Sequence, residues 1–589
     1  MKRVFVILSA FATLVACSKV TPIVDDPMQE ENQEIKVNFT ISREDANTDT
    51  KASVKTAFSE DDVVFVFFNG VDAPKHLEMK RTGDSWTPIT GGELKALDLV
   101  DGGTLTAIYL PYGSGITVDG SGNTFTFSES YTGYYYVAST TYGFENNTVT
   151  ANITLAVAPP DSGSDVIVHF DVSGLSSTHE YNMYQEYVKP LTLTAISKTG
   201  TVTQTVGTAG NAILGHQDDG FVSFSGVLDA SAVGAENKKI YQFFVRDETL
   251  GTLYYRTTAS AKTITVNTYI GLGSAATSPT SPWAVASPGA FSVSDTKKVT
   301  IARSNLAYYG ASYPDHPWQL MKYPWSTLFQ SSQKVCSASG LLATDDTDHF
   351  GWGTSGWNSQ KGHWTYYQPW STSTRPQDGA ALDVNNFYGF GPDTNDPYPD
   401  LTGENSQGDW GVYNTIYSFG AGSSYVPAYW RTPTNDDWAY IINTRTCEYR
   451  YVKATVNGMG GVVIFPDNFT LPDGVSIVDK NVGTTLFDDN NLNAITWNKL
   501  EAKGVVFLPA NGIFAYSSRT PGGDFSIENN PHLVIYWTST HIDKYKSYAL
   551  YCGDGKKDAF NKGCVNNMYA CDDAQRKTGL SVRFVHDID

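Results

Sequence analysis

Residues 34–41 read Glu-Ile-Lys-Val-Asn-Phe-Thr-Ile, with Ile35, Val37, Phe39 and Ile41 alternating with polar Glu34, Lys36, Asn38 and Thr40. Successive side chains of an extended chain point to opposite faces, so a period of two separates an apolar face from a polar one. That is the pattern of a half-buried β-strand. Val63–Phe68, Gly103–Leu110, Thr124–Phe127, Tyr134–Ser139 and Asn147–Ala156 are further strand candidates, each bounded by turn residues. Short strands at this spacing, with no amphipathic helix between them, predict an all-β sandwich over residues 34–160.

A second series follows the Asp161–Asp165 break: Val166–Val172, Leu191–Ser197, Phe221–Val227, Lys239–Val245, Thr252–Arg256 and Ala261–Tyr269. The Ser/Pro/Gly-rich stretch Gly271–Gly289 reads as a linker, which closes a second sandwich at 161–285. Beyond it the composition changes. Eleven of the 13 tryptophans lie in residues 286–589, together with long Gly/Asn/Asp loops. Two helices are predicted there: Trp438–Asn443, capped by Thr434 with acidic first-turn residues, and Thr496–Lys503, ended by Gly504. Strand signals recur at Val505–Pro509, Leu533–Thr538, Ser547–Tyr551 and Leu580–Val585. The last 300 residues thus read as α+β, and 589 residues suggest three or four domains.

Charged residues are only 17% and aromatics 13%, which suits β-rich extracellular domains with ordered loops. A net charge of −20 argues against nucleic acid and anionic lipid as partners. At the start, Lys2 and Arg3 precede an apolar run, Val4–Ala16, of signal-peptide length and too short to span a bilayer. Residues 18–33 are polar, acidic and Pro-containing, and read as a tether. Of the six cysteines, Cys17 ends the signal and five lie in the C-terminal half. That odd number leaves at least one outside any intrachain pair; Cys552, Cys564 and Cys571 are candidates for a disulfide, with the pairing open.

Leu14-Val15-Ala16-Cys17 resembles the lipobox of bacterial lipoproteins, in which the cysteine is acylated and becomes the first residue. Residues 1–17 would then be a lipoprotein signal, and the acyl chains, at about 0.8 kcal/mol per buried CH₂, would anchor the protein to the outer membrane. Residues 17–285 resemble the fimbrillin-like lipoproteins of Bacteroides-type bacteria. The carriers are the lipobox, the acidic tether, TDTKASVKTAFSEDDVVFVFFNG (48–70) and GGTLTAIYLPYG (102–113). The resemblance implies two transthyretin-like β-sandwiches and a place in a pilus. It also implies that a trypsin-like protease cuts after an arginine near the first strand, here Arg43, in a polar and accessible stretch; a neighbouring subunit's strand then fills the groove. A solvated surface arginine is the competing reading.

Residues 286–589 resemble a C-type-lectin-like module of the same bacteria. The matching segments include FSVSDTKKVTIARSNLAYY (291–309), HFGWGTSGWN (349–358), WRTPTNDDWAYIINTRT (430–446), YWTSTH (536–541) and GLSVRFV (579–585). The Glu-Pro-Asn, Gln-Pro-Asp and Trp-Asn-Asp triplets of calcium-dependent sugar lectins are missing; the late strand reads Trp537-Thr538-Ser539. Calcium-bridged sugar binding is therefore not carried over, and fold alone does not define function.

Several constellations remain. The loop Lys361–Trp370 offers His363, Trp364, Tyr366, Tyr367 and Trp370 as ligand-binding candidates, because flat rings stack on sugar faces. Phe350, Trp352 and Trp357 are assigned to packing. Ser539, His541 and Asp543 alternate along one strand, where parallel projection prevents convergence as a catalytic triad. No catalytic residue, cofactor or metal is expected. Calcium is the one ion weighed, through Asp345, Asp346 and Asp348, then Asp393, Asn395 and Asp396, then Asp488 and Asp489; turns are the favoured reading of all three.

The resulting expectation is a cell-surface, adhesin-type minor pilin at a fimbrial tip, assembled by β-strand addition and presenting a lectin-like head. The tip position follows from the compact C-terminal GLSVRFVHDID, which leaves no evident strand to donate. Its partners would be other pilin subunits and a glycan or a host or bacterial surface protein. The alternatives are a non-polymerising, glycan-binding surface lipoprotein and, third, an enzyme of the head.

Overall fold

The computed structural model describes residues 35–43, 58–69, 76–90, 94–113, 118–121, 124–161, 165–218, 220–228, 242–258, 268–275, 281–328, 346–355, 400–482, 486–516, 525–528, 533–542, 546–553, 568–575 and 579–588. It is a multidomain, mostly β structure. Ten strands come from the first series: β1 (Lys36–Arg43), β2 (Val63–Phe68), β3 (His76–Thr82), β4 (Ser85–Thr90), β5 (Thr104–Tyr109), β6 (Val118–Ser121), β7 (Thr124–Thr132), β8 (Tyr136–Thr141), β9 (Gly143–Glu145) and β10 (Thr148–Val157). One sheet runs β1-β10-β8-β5-β2-β3-β4, with β9 beside β10.

The second series gives β11 (Val166–Ser173), β12 (Tyr181–Tyr184), β13 (Val188–Ser197), β14 (Val202–Val206), β15 (Ile213–Asp218), β16 (Phe221–Leu228), β17 (Gln242–Asp247), β18 (Leu253–Thr257), β19 (Thr268–Ser274) and β20 (Ala284–Val285). Their sheet runs β20-β18-β17-β12-β15-β16-β13-β7-β6, so strands from both sides of residue 160 share it. Strand β13 is the shared member. Val188–Pro190 pair with β16, whereas Leu191–Ser197 pair with β14 and β7. Leu191, Leu193, Ile196 and Val202 accordingly complete the core of the first sandwich, against Phe65, Phe67, Leu105 and Ile153. The β13–β14 turn docks onto β5 through Gly200 (φ +76°), where an added Cβ would lie 2.4 Å from that of Thr106.

Between the two cores lies a polar seam. Tyr112 stacks on His216 with ring centroids 4.6 Å apart, and Tyr134 meets His169 edge-on at 4.0 Å. The Tyr134 amide donates to Ser225 Oγ at 3.1 Å, and Tyr131 Oη donates to the Tyr134 carbonyl at 2.7 Å. Burial pushes the His169 imidazole down to about 3. Burial also pushes Asp171 up to about 7, against the lowering effect of the Ser223 hydroxyl that donates to it.

The described parts of the expected linker, 271–275 and 281–289, are instead built into the body. Trp283 is buried and donates its indole N–H to the Leu272 carbonyl at 3.2 Å, β20 pairs with β18, and the Ala286 amide bonds Leu253 at 2.9 Å. A small, polar composition suggested slack chain, but one tryptophan in the second core fixes the path.

Among the described residues the head contains four-stranded, five-stranded and two- and three-stranded sheets around four apolar clusters. Its start and end share one sheet: Lys298–Ile301 lies between Ala290–Ser292 and Val585–Ile588 and pairs with both. The helix Asn435–Ala439 begins as predicted at Thr434, whose hydroxyl accepts from the Asp437 amide while Asp437 reaches back. The second helix, Ala494–Glu501, starts two residues before the predicted one and is capped by Asn493; Gly504 (φ +79°) follows it.

This second helix locks the head to the body. Burial alone would raise the Glu501 carboxyl, yet the guanidiniums of Arg246 on β17 and Arg303 in the head hold it at about 2. Arg246 also donates to Asn498 Oδ1 at 2.6 Å and lies 5.2 Å from the Trp325 ring. Beside them, Tyr184, Phe244, Leu253, Ala286 and Ile495 form a dry patch.

Glu501→Ala removes the carboxylate partner of buried Arg246 and half-buried Arg303 and should cost about 3–5 kcal/mol, read from urea denaturation of the full chain. A second expectation concerns pH. The folded state disfavours charged His169, so its contribution is complete above the ordinary value of 6.5 and is lost as pH falls towards 3. Asp171 works in the opposite sense: its contribution is complete below 3.8 and is lost as pH rises through 7. The urea midpoint of His169→Phe should therefore fall less on acidification than that of the unmodified chain, and Asp171→Asn should lose less on the rise to neutrality.

Candidate functional site at the first strand

Strand β1 keeps the alternation of its sequence: Phe39 and Ile41 enter the first core, Ile35 and Val37 pack at its margin, and Lys36, Asn38, Thr40 and Ser42 face outward. Among the described residues it stands at the end of its sheet and pairs only with β10, in parallel, from Lys36↔Thr148 to Arg43↔Leu155. A parallel neighbour cannot be joined by a hairpin, and 104 residues separate Arg43 from Thr148 in the chain. The sheet order from β10 to β4 is continuous without β1.

Arg43 ends this strand, and its surroundings differ from the accessible setting expected. Its guanidinium lies 5.3 Å from the Phe58 ring centroid and 5.5 Å from that of Tyr136. Phe58 is held edge-on by Trp86 and Tyr109 at 4.9 and 5.0 Å, and Tyr109 Oη donates to Asp62 at 2.8 Å. Both terminal nitrogens of Arg43 are buried without a hydrogen-bond partner among the described residues. Each ring contact contributes about 0.5–2 kcal/mol, whereas removing a guanidinium from water costs several kcal/mol. The ring contacts and the loss of water around the guanidinium therefore oppose each other at this end of β1. Peeling of the strand should start at this end, where rehydration offsets lost contacts.

The other candidates are scattered. Cys17, the ring-rich loop with His363, Trp364, Tyr366, Tyr367 and Trp370, Cys564, Asp543 and the Asp393–Asp396 cluster lie outside the described residues. Cys552 is buried on the strand Lys546–Gly553, opposite Met568 of the strand Met568–Gln575, which also carries Cys571. His541 does find a carboxylate, but it is Asp400, 2.6 Å from Nδ1, while Ser539 Oγ is buried without a hydrogen bond. Asp346 accepts from the Ala311 and Ser312 amides, Asp348 from Thr327, Leu328 and His349, Asp488 from Thr455 and Asp489 from the Leu486 amide. Among the described residues no group of three or more His, Cys, Asp and Glu side chains is placed to hold a metal ion. Phe350 and Trp352 are fully buried. Sequence reasoning passed over the Phe58–Tyr136 box; the signal available was the lone aromatic before the acidic turn in Thr56-Ala-Phe-Ser-Glu60.

No family model matches the chain, and no curated protein sequence does. Among solved structures, a proposed cell adhesion protein from Bacteroides fragilis is 9% identical over 43% of this chain and 96% of its own, with a TM-score of 0.21. A proposed adhesin from Bacteroides ovatus is 11% identical over 45% of this chain and 100% of its own, with a TM-score of 0.17. The fimbrial anchor protein Mfa2 from Porphyromonas gingivalis is 10% identical over 42% and 95%, with a TM-score of 0.18. Likenesses this slight assign neither fold nor role to this chain.

Phe39→Ala and Ile41→Ala should each destabilise the first sandwich by about 2–5 kcal/mol in urea denaturation. Ser42→Ala, on the outward face, should stay within about 0.5 kcal/mol.

Proposed function

We propose that this chain is an exported, adhesin-type fimbrial subunit in which β1 is a provisional strand. Cleavage after Arg43 would free Lys36–Arg43 and expose the edge of β10, together with the seats of Phe39 and Ile41. A strand from a second subunit would then dock by backbone hydrogen bonds, with its alternate side chains setting the register. The observation that carries this reading is the isolation of β1. It is an edge strand with one parallel neighbour, outside every hairpin, and it ends on an arginine whose charge is poorly satisfied where it lies.

The finer parts of the proposal rest on the sequence resemblances. Cys17 would carry the lipid that tethers the exported protein at the outer membrane until the cut, and residues 286–589 would form a C-type-lectin-like head. The pairing of the head's last strand with Lys298–Ile301 near its start and the burial of Phe350 against Leu580 support that head. Val585–Ile588 is paired with Lys298–Ile301 and bridged at Val585 to Arg431, which ties this strand into the head. No reaction and no cofactor form part of the proposal.

Treating the full chain with an arginine-specific protease and reading the new N-terminus by mass spectrometry tests the central step. A single early cut after Arg43 is expected, followed by loss of residues 36–43 from the folded product and uptake of an added alternating peptide. Arg43→Ala should block both. Filaments whose subunits still retain residues 36–43 would overturn the proposal.

A further inference from the structure

Where the head meets the second sheet, a cavity of about 520 Å³ opens, within the range of about 300–1,000 Å³ usual for small-ligand sites. Three distant parts of the chain line it: the turn Gln185–Tyr187 after β12, the β17 and β18 ends at Gln242 and Thr257, and head residues 470–473 with Lys499 and Lys503. It therefore exists only in the assembled junction.

Its floor is firmly built. Lys499 is 5% exposed; its ammonium pairs with Glu186 at 2.9 Å and donates to the Asp473 carbonyl at 3.0 Å. Gln185 is 1% exposed, and its Oε1 accepts from the Tyr187 amide at 2.7 Å. Gly474, at φ +74°, lets the chain pass close by: a Cβ there would lie 3.0 Å from Glu186 Oε1.

The chemistry of the lining narrows the ligand. Glu186 and Asp473 balance Lys499 and Lys503, so no net charge remains to select a phosphate, a carboxylate or a cation. The rest of the lining is the amide and hydroxyl groups of Gln242, Thr257, Thr258 and Thr470, the half-buried Tyr187 ring at the margin of the second core, and short apolar surface at Leu471 and Pro472. Most small-molecule pockets are chiefly apolar. One dominated by neutral donors and acceptors, with a single flat ring, matches a ligand that is hydroxylated all round and has apolar ring faces. The geometry points to a binding site for a short neutral oligosaccharide, formed jointly by the second sandwich and the head. This site shares no lining residue with β1, and it does not depend on strand exchange.

The full-length protein would be titrated calorimetrically with short glucan, mannan and xylan fragments, and with a uronic-acid oligomer as the charged comparison. A neutral fragment should bind. Thr470→Trp, which fills the cavity, should weaken binding by about tenfold or more with the unfolding midpoint unchanged. Tyr187→Ala gives the same readout if the tryptophan variant does not fold. The assignment is overturned by binding of none of these fragments, by binding of the uronic-acid oligomer alone, or by binding that both cavity variants leave intact.

Discussion

One carboxylate fixes how the two halves of this molecule meet. Glu501 closes the helix Ala494–Glu501 and is buried between Arg246 of the body and Arg303 of the head. Such a pair adds little over a well-packed apolar contact, but losing one partner is expensive, so its effect is to define a geometry. The neighbouring dry patch of Tyr184, Phe244, Leu253, Ala286 and Ile495 supplies burial without direction. The charge triad supplies direction. With the head seated in one place, Lys499 reaches Glu186, and the cavity above them acquires its walls.

A second constraint is the need of every buried backbone group for a partner. Strand β13 meets it twice, bonding β16 with its first residues and β7 and β14 with the rest. The two sandwiches therefore share a strand, and movement of one would be felt by the other. Strand β1 meets the same need with one neighbour only. The contrast between a strand tied into two cores and a strand tied to one edge is what singles out β1 as the element able to leave.

Much of this was legible along the chain. The alternation at Glu34–Ile41, the strand blocks of both series, the cap at Thr434 and the stop at Gly504 all express local rules of spacing and backbone preference. Residues whose roles depend on distant partners were not legible. Arg43 reads as a surface charge because Glu44 and Asp45 follow it, yet its guanidinium lies between the rings of Phe58 and Tyr136. Gly271–Gly289 reads as slack chain because its residues are small, yet Trp283 anchors it in a core. His541 pairs with Asp400, 141 residues away, and not with nearby Asp543.

By itself, the sequence determined the strand-rich class, the change of composition near residue 286 and the start of each predicted helix, to within a few residues. These follow from side-chain period, turn chemistry and charge, which act over a few residues. Only the tertiary structure decided that β13 serves two cores, that Arg43 sits in an aromatic box, and that Glu186, Asp473 and Lys499 enclose a cavity. Those outcomes depend on which surfaces meet across hundreds of residues, and that choice is made by burial and pairing of whole faces, which no local pattern records.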